Sequence, residues 1–172
     1  MKIDLTANMK SMSEFANDFR PEDVTKMFGG KSLLFYSVGN TSLADRYEIS
    51  NFLLDRGVDA AGVSPDGYGV LHVLLNQVRH DIPETAHLSG RILAAGADIN
   101  LPDAKQRLPI QGILGMKATD DDLACLLDLW FERDDLDLTT KNAWGLSPLD
   151  LAKKLPHRES VVVRMERHLR DH

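Results

Sequence analysis

Apolar positions fall in short runs of helical period, and the runs are cut at regular distances by Gly, Asp, Asn and Pro. The stretch Ile92–Ile110, ILAAGADINLPDAKQRLPI, shows the unit most fully. Ile92, Leu93 and Ala95 supply an apolar helical face, and Gly96 follows the last turn, where a left-handed residue without a Cβ costs least. Asp98 and Asn100 bring turn chemistry after it. Pro109 then stands where a first helical turn tolerates a missing N–H. The pattern predicts a helix, a tight finger and the start of the next helix.

Both halves of this unit recur. The helix-opening hexamer is GKSLLF at Gly30–Phe35, GYGVLH at Gly67–His72, QRLPIQ at Gln106–Gln111 and GLSPLD at Gly145–Asp150. The four copies begin 37, 39 and 39 residues apart. The helix-closing segment is FLLDRGVDAA at Phe52–Ala61, ILAAGADIN at Ile92–Asn100 and a degraded LWFERDDLDLT ending at Thr139. Each ends six residues before the next opening position, at Gly67, Gln106 and Gly145. Two independent signals therefore keep one register.

Signals for a second helix lie within each unit: Ser42 ahead of Asp45, Pro83-Glu84, and Thr119 followed by three aspartates. Ahead of the first copy, Ser11 and Glu14 form a candidate capping box before Phe15 and Phe19. At the other end, Val161, Met165 and Leu169 share one face of a helix over Arg158–Arg170.

These residues resemble the ankyrin repeat, which opens on G-x-T-P-L-H and closes on L-L-x-x-G-A-D-V-N. The resemblance covers Gly30 to about Leu169. It is strongest at Asp66, Gly67, Tyr68, Leu71 and His72, at Gly96–Asn100, and at Gly145, Ser147, Pro148, Leu149 and Ala152. It implies an all-α solenoid of about four helix-turn-helix repeats with short β-hairpin fingers. The repeats would be 30–66, 67–105, 106–144 and 145–172, behind a helical cap over 1–29. The family period is about 33 residues, so the surplus here is expected in longer inter-helix loops. The third repeat departs most: Gln106 stands for glycine, Leu108 for threonine, Gln111 for histidine, and Asp135-Leu136-Asp137 for Gly-Ala-Asp.

A formal net charge of -6 argues against a general phosphate-backbone binder. A single cysteine, Cys125, excludes an intramolecular disulfide. The opening MKIDLTANMK lacks the apolar core of a signal peptide, and no apolar run approaches the roughly 18 residues of a membrane span. A cytoplasmic, monomeric protein without nucleic-acid or membrane partners is expected. From Asp103 to Asp137 nine acidic residues face Lys105, Arg107, Lys117 and Arg133. That excess reads first as helix caps and a solvated turn, and alternatively as a patch for a basic partner.

Nothing in the chain favours an enzyme. Gly30-Lys31-Ser32 copies the end of a phosphate-binding loop, but Thr25 occupies the position of its first glycine. Gly67-Tyr68-Gly69 lacks the third glycine of a dinucleotide fingerprint. His168 and His172 have i, i+4 metal spacing with no third ligand suggested. His80, Glu84 and His87 read as polar loop residues, and Cys125 as a buried, inert thiol. His72 resembles the family's structural histidine, which hydrogen-bonds backbone between repeats. No catalytic set, metal or cofactor is expected.

What the resemblance implies is protein binding through finger tips and first helices on a concave face. The matching positions are Asp66, Tyr68, Lys105, Arg107, Asn142 and Trp144 on fingers, with Ser64, Asp103 and Leu146 beside them, and Asn76, Gln77, Met116 and Lys154 on first helices. Trp144 stands out, being of the residue type enriched at binding hot spots, unless its ring lies against the neighbouring finger. Some single-domain bacterial ankyrin proteins are immunity proteins that neutralise a toxin. The expectation is therefore a non-enzymatic interaction module with another protein as partner, such as a basic toxin or effector domain. The alternative is a regulatory or structural adaptor.

Overall fold

The computed structural model describes every residue from Met1 to His172 and is all-α, with ten helices and no strand. Five helix pairs follow one another. They are α1 (Ile3–Met9) with α2 (Met12–Asp18), α3 (Leu33–Ser37) with α4 (Leu43–Leu54), α5 (Val70–Leu75) with α6 (Ile82–Ala94), α7 (Pro109–Leu114) with α8 (Ala124–Phe131), and α9 (Pro148–Lys154) with α10 (Glu159–Asp171). A 3-10 turn, Pro21–Val24, links the first two pairs. Helices α1, α3, α5, α7 and α9 pack side by side in one layer, and α2, α4, α6, α8 and α10 in a second. No helix is long and apolar enough to cross a membrane.

The first-layer helices are short, five residues in α3 and six in α5 and α7. Helices of this length do not persist alone in water. They hold because nearly every turn is buried: Leu33 and Leu34, then Leu71, Leu74 and Leu75, then Ile110, Ile113 and Leu114. One apolar cluster joins them, running from Ile3 to Met165. Gly112 lets α7 come close to α5, since a Cβ there would lie 3.0 Å from that of Leu75.

Second-layer helices start at polar caps. Ser42 Oγ accepts from the Asp45 N–H at 3.4 Å, and Asp81 Oδ1 from the Glu84 N–H at 3.1 Å ahead of Pro83. Thr119 Oγ1 accepts from the Asp122 N–H at 3.1 Å in the turn before α8. The Ser11–Glu14 capping box forms in full on α2. On α10 the buried stripe is Val161, Met165 and His168, while Leu169 is 38% exposed. At about 100° per residue, a step of seven from Val161 returns closer to its face than a step of eight.

Two buried arginines tie down the long inter-helix loops. Arg46 donates to the carbonyls of Asn40 at 2.8 Å and Arg79 at 2.7 Å. Arg158 donates to the carbonyls of Leu114 at 3.0 Å, Ala118 at 2.9 Å and Met116 at 2.6 Å, and pairs with Asp120 at 3.0 Å.

The fingers are not β-hairpins, against the expectation from sequence. Each closes on two backbone bonds around one turn: Ser64 N–H to the Tyr68 carbonyl at 2.9 Å, Asp103 to Arg107 at 3.0 Å and Asn142 to Leu146 at 3.0 Å, with the Gly67, Gln106 and Gly145 N–H groups returning to the Ser64, Asp103 and Asn142 carbonyls. Isolated bridges occur only at Phe28–Lys31 and Val63–Gly69. The residues after the three turns, Gly69, Leu108 and Ser147, already cap α5, α7 and α9, so no chain is left to extend a ladder. The fourth residue of each turn is left-handed, with φ of 82° at Gly67, 58° at Gln106 and 75° at Gly145. Gln106 therefore takes the glycine conformation with a side chain attached.

Candidate functional site

The three fingers and helices α5, α7 and α9 enclose a groove of two connected parts. One, of about 330 Å³, is lined by His72, Asn76, Arg107, Leu108, Gln111, Gly112, Asn142, Trp144, Leu146 and Leu151. The other, of about 340 Å³, is lined by Tyr68, His72, Val73, Asn76, Gln77, Asp103 and Arg107. His72, Asn76 and Arg107 belong to both and make the surface continuous.

Side-chain acceptors inside each turn set the finger tips. Asp103 Oδ1 takes the N–H groups of Lys105 at 2.8 Å and Arg107 at 2.9 Å, and Oδ2 takes Arg107 Nε at 2.7 Å. Burial alone would raise the Asp103 pKa, but the backbone and guanidinium of Arg107 outweigh it and hold the carboxylate below its ordinary range. Asn142 Oδ1 takes the N–H groups of Trp144 at 3.0 Å and Leu146 at 3.1 Å. Ala143 N–H donates to the Lys105 carbonyl at 2.9 Å, locking neighbouring fingers together.

The Trp144 ring is 60% exposed, and Lys105 Nζ stands 5.4 Å from its centroid. It thus touches the neighbouring finger and still presents most of its surface. Tyr68 is half-buried against Phe35, with ring centroids 6.2 Å apart, and its hydroxyl accepts from Lys31 Nζ at 2.9 Å. Lys31 also lies 3.5 Å from Asp66. On the helix side, Asn76 Nδ2 donates to the His72 carbonyl at 2.7 Å and Gln77 Nε2 to that of Val73 at 2.9 Å. The amide nitrogens are thus occupied at the end of α5, and the oxygens are left for the groove. His72 Nδ1 accepts from the Gly69 N–H at 3.1 Å and Nε2 donates to the Arg107 carbonyl at 2.9 Å. Burial lowers its pKa against the opposing pull of that carbonyl, so a neutral ring bridges two fingers.

Of the nine positions singled out from sequence, Tyr68, Asn76, Gln77, Arg107, Asn142 and Trp144 line the groove. Lys105 covers Trp144, and Asp66 borders Tyr68 through Lys31. Met116 does not belong there. It lies beyond the end of α7, is buried, and its carbonyl receives Arg158. Ser64 and Asp103 are also buried, as acceptors inside their turns. Cys125 corrects another expectation, being exposed because α8 buries Leu126, Leu127 and Trp130 instead. Leu108, Gln111 and Leu151 were not singled out. The substitution of Gln111 at the histidine position was the visible signal.

The acidic excess is largely occupied within the chain. Asp120 serves Arg158, Asp122 accepts from Thr119, Asp135 pairs with Arg133 at 3.0 Å, and Asp137 caps Thr139 and Thr140. His80 Nε2 bonds the Gln77 carbonyl at 2.9 Å and its Nδ1 meets Thr85 Oγ1 at 3.2 Å. His172 is engaged with Asp134 at 3.0 Å and stacks on His168 with centroids 4.3 Å apart. No three His, Cys, Asp or Glu side chains are gathered as a metal would need.

No family model matches this chain. No curated protein matches it. Among solved structures, it is similar to a functionally unknown protein from Leptotrichia buccalis C-1013-b. The two are 23% identical with a TM-score of 0.87, over 98% of this chain and 93% of that one, so they share a fold.

Proposed function

We propose that this chain is a non-enzymatic protein-binding module of the ankyrin-repeat kind, with four repeats over 30–172 behind a helical cap over 1–29. The observation that carries the proposal is Trp144. It stands 60% exposed at the edge of a groove walled by the fingers and the buried first-layer helices. A large aromatic on a fixed support is the residue type that dominates interface energies. The recurring opening and closing segments and the paired two-layer helices support the repeat assignment. The partner is another protein and the chain acts as a cytoplasmic monomer. A toxin as client makes it an immunity protein, and a regulatory client makes it an adaptor.

The test starts with capture from a lysate of the encoding organism, using wild type and the Trp144→Ala, Tyr68→Ala double variant. The captured protein is then expressed and titrated against both by calorimetry. Loss of a hot spot worth about 2 kcal/mol weakens binding roughly 30-fold. Equal affinity for the two forms would remove the groove as the site. The identity of the partner, and whether it kills cells without this chain, separates immunity from adaptor roles.

A further inference from the structure

Two neighbouring joints of the array are built alike and finished differently. At the first, His72 accepts from the Gly69 N–H and carries its second nitrogen across to the Arg107 carbonyl, 35 residues on. At the second, Gln111 occupies the same place on α7, and its Oε1 accepts from the Leu108 N–H at 3.2 Å. That bond fixes which end of the amide is oxygen. The corresponding carbonyl, 35 residues further, belongs to Leu146, and Gln111 makes no bond to it. Its Nε2 is buried without a partner anywhere in the chain, although the side chain lines the part of the groove of about 330 Å³ that Leu108, Trp144, Leu146 and Leu151 also line. An unmet buried donor destabilises the free protein and is relieved when an acceptor reaches it.

The surroundings define that acceptor. Leu108, Leu146, Leu151 and the Trp144 ring give apolar walls. Arg107 is on the wall with its side chain 45% exposed, and Lys105 stands over Trp144 without a carboxylate partner of its own. We infer that this pocket is an anchor subsite for a partner's acidic side chain, glutamate by length, with its stem against Trp144 and Leu146 and its carboxylate on Gln111 Nε2. Asn76, whose amide oxygen accepts nothing, offers an acceptor to the backbone N–H of the same segment. The local cations act against the chain's net charge of -6, whose distant members are screened beyond roughly 10 Å.

The inference rests on the protein-binding reading above, and the test separates the two. Random displayed dodecapeptides are selected on wild type and on Gln111→His, which copies the bridge made by His72. Wild type should enrich peptides with glutamate at one register position, and Gln111→His should lose that preference. A selected peptide should bind wild type at least about tenfold tighter than its glutamine version, as one charge-assisted bond implies. Lys105→Glu, exposed and outside the core, should lower the same affinity and serves if Gln111→His does not fold. Enriched peptides without an acidic position, or with one unchanged on both variants, overturn the subsite and leave the module standing. So does an empty selection beside a successful capture of a partner. An empty selection with no captured partner overturns both.

Discussion

Replacing Arg158 by methionine should cost more than any single change at the groove. Arg158 is 5% exposed and its guanidinium serves five acceptors: the carbonyls of Leu114, Met116, Ala118 and its neighbour His157, and the carboxylate of Asp120. Methionine keeps the stem and removes every donor. The first three carbonyls close the turn between α7 and α8, which the backbone alone holds with few bonds. Asp120, with a side chain 13% exposed, keeps only Ser160 Oγ at 2.7 Å and the Val161 N–H at 3.3 Å. Summing five lost partners would overstate the cost, because the loop can relax and admit water. Removing one member of a buried ion pair sets the scale, about 3–5 kcal/mol. For a chain of this length that lowers the melting temperature by roughly 6–20 °C. Urea unfolding followed by circular dichroism at pH 7 measures it, with exchange of the amides at 115–123 as a local readout. A cost below about 1 kcal/mol would show that the loop does not depend on this arginine.

Acid should act through the same pair. Burial alone would raise the Asp120 pKa, but Ser160, the Val161 N–H and Arg158 together hold it below its ordinary 3.8. A depressed carboxylate stabilises the fold above the unfolded value and stops doing so as pH falls through the folded one, so the loss begins below about pH 4. Asp120→Asn should be less stable than wild type at pH 7, and the gap should narrow progressively in melts taken below about pH 4; parallel curves would refute it. Gln106→Gly should raise the urea midpoint at unchanged slope. Relief of a left-handed side chain, roughly 1–2 kcal/mol, exceeds the flexibility cost of glycine, roughly 0.5–1 kcal/mol. A lower midpoint would mean that the turn is not strained. Trp144→Ala should leave stability within about 0.5 kcal/mol while removing the acrylamide-quenchable emission, because Trp130 is fully buried. Quenching that persists in the variant would place Trp130, not Trp144, in solvent.

The register of the chain was legible because it is written in local chemistry. Gly67 and Gly145 mark left-handed turn positions, and Ser11, Ser42 and Thr119 accept from the N–H groups their spacing names. What was misread depends on distance. Met116 looked like a first-helix surface residue, yet α7 ends at Leu114 and an arginine 42 residues later covers the turn. Nothing near Arg46 or Arg158 in sequence announces burial, since their acceptors come mostly from other segments. Cys125 was placed on the wrong face because α8 is apolar almost throughout, and such a helix gives periodicity little to decide with. Strands were expected at the fingers because turn chemistry does not tell how soon the next helix is capped.

The third repeat joins these threads. Against the neighbouring joints, Gln106 and Gln111 are losses: a side chain at φ 58° where the adjacent turns have Gly67 and Gly145, and an amide where His72 spans the preceding joint. In the structure the first loss is confined to a turn that keeps the geometry of its neighbours. The second leaves an amide nitrogen unmet beside the groove, where His72 at the preceding joint bonds the Arg107 carbonyl. A stack of near-identical units presents near-identical surfaces, so individuality has to enter where one unit breaks the pattern. A histidine there would supply the bridge that His72 makes at the preceding joint. On the proposed reading, the buried, unmet donor of Gln111 is worth more with a partner bound than closed upon the chain itself. Gln111→His should then melt higher than wild type and bind worse, and a variant that gains or loses both together would contradict this reasoning.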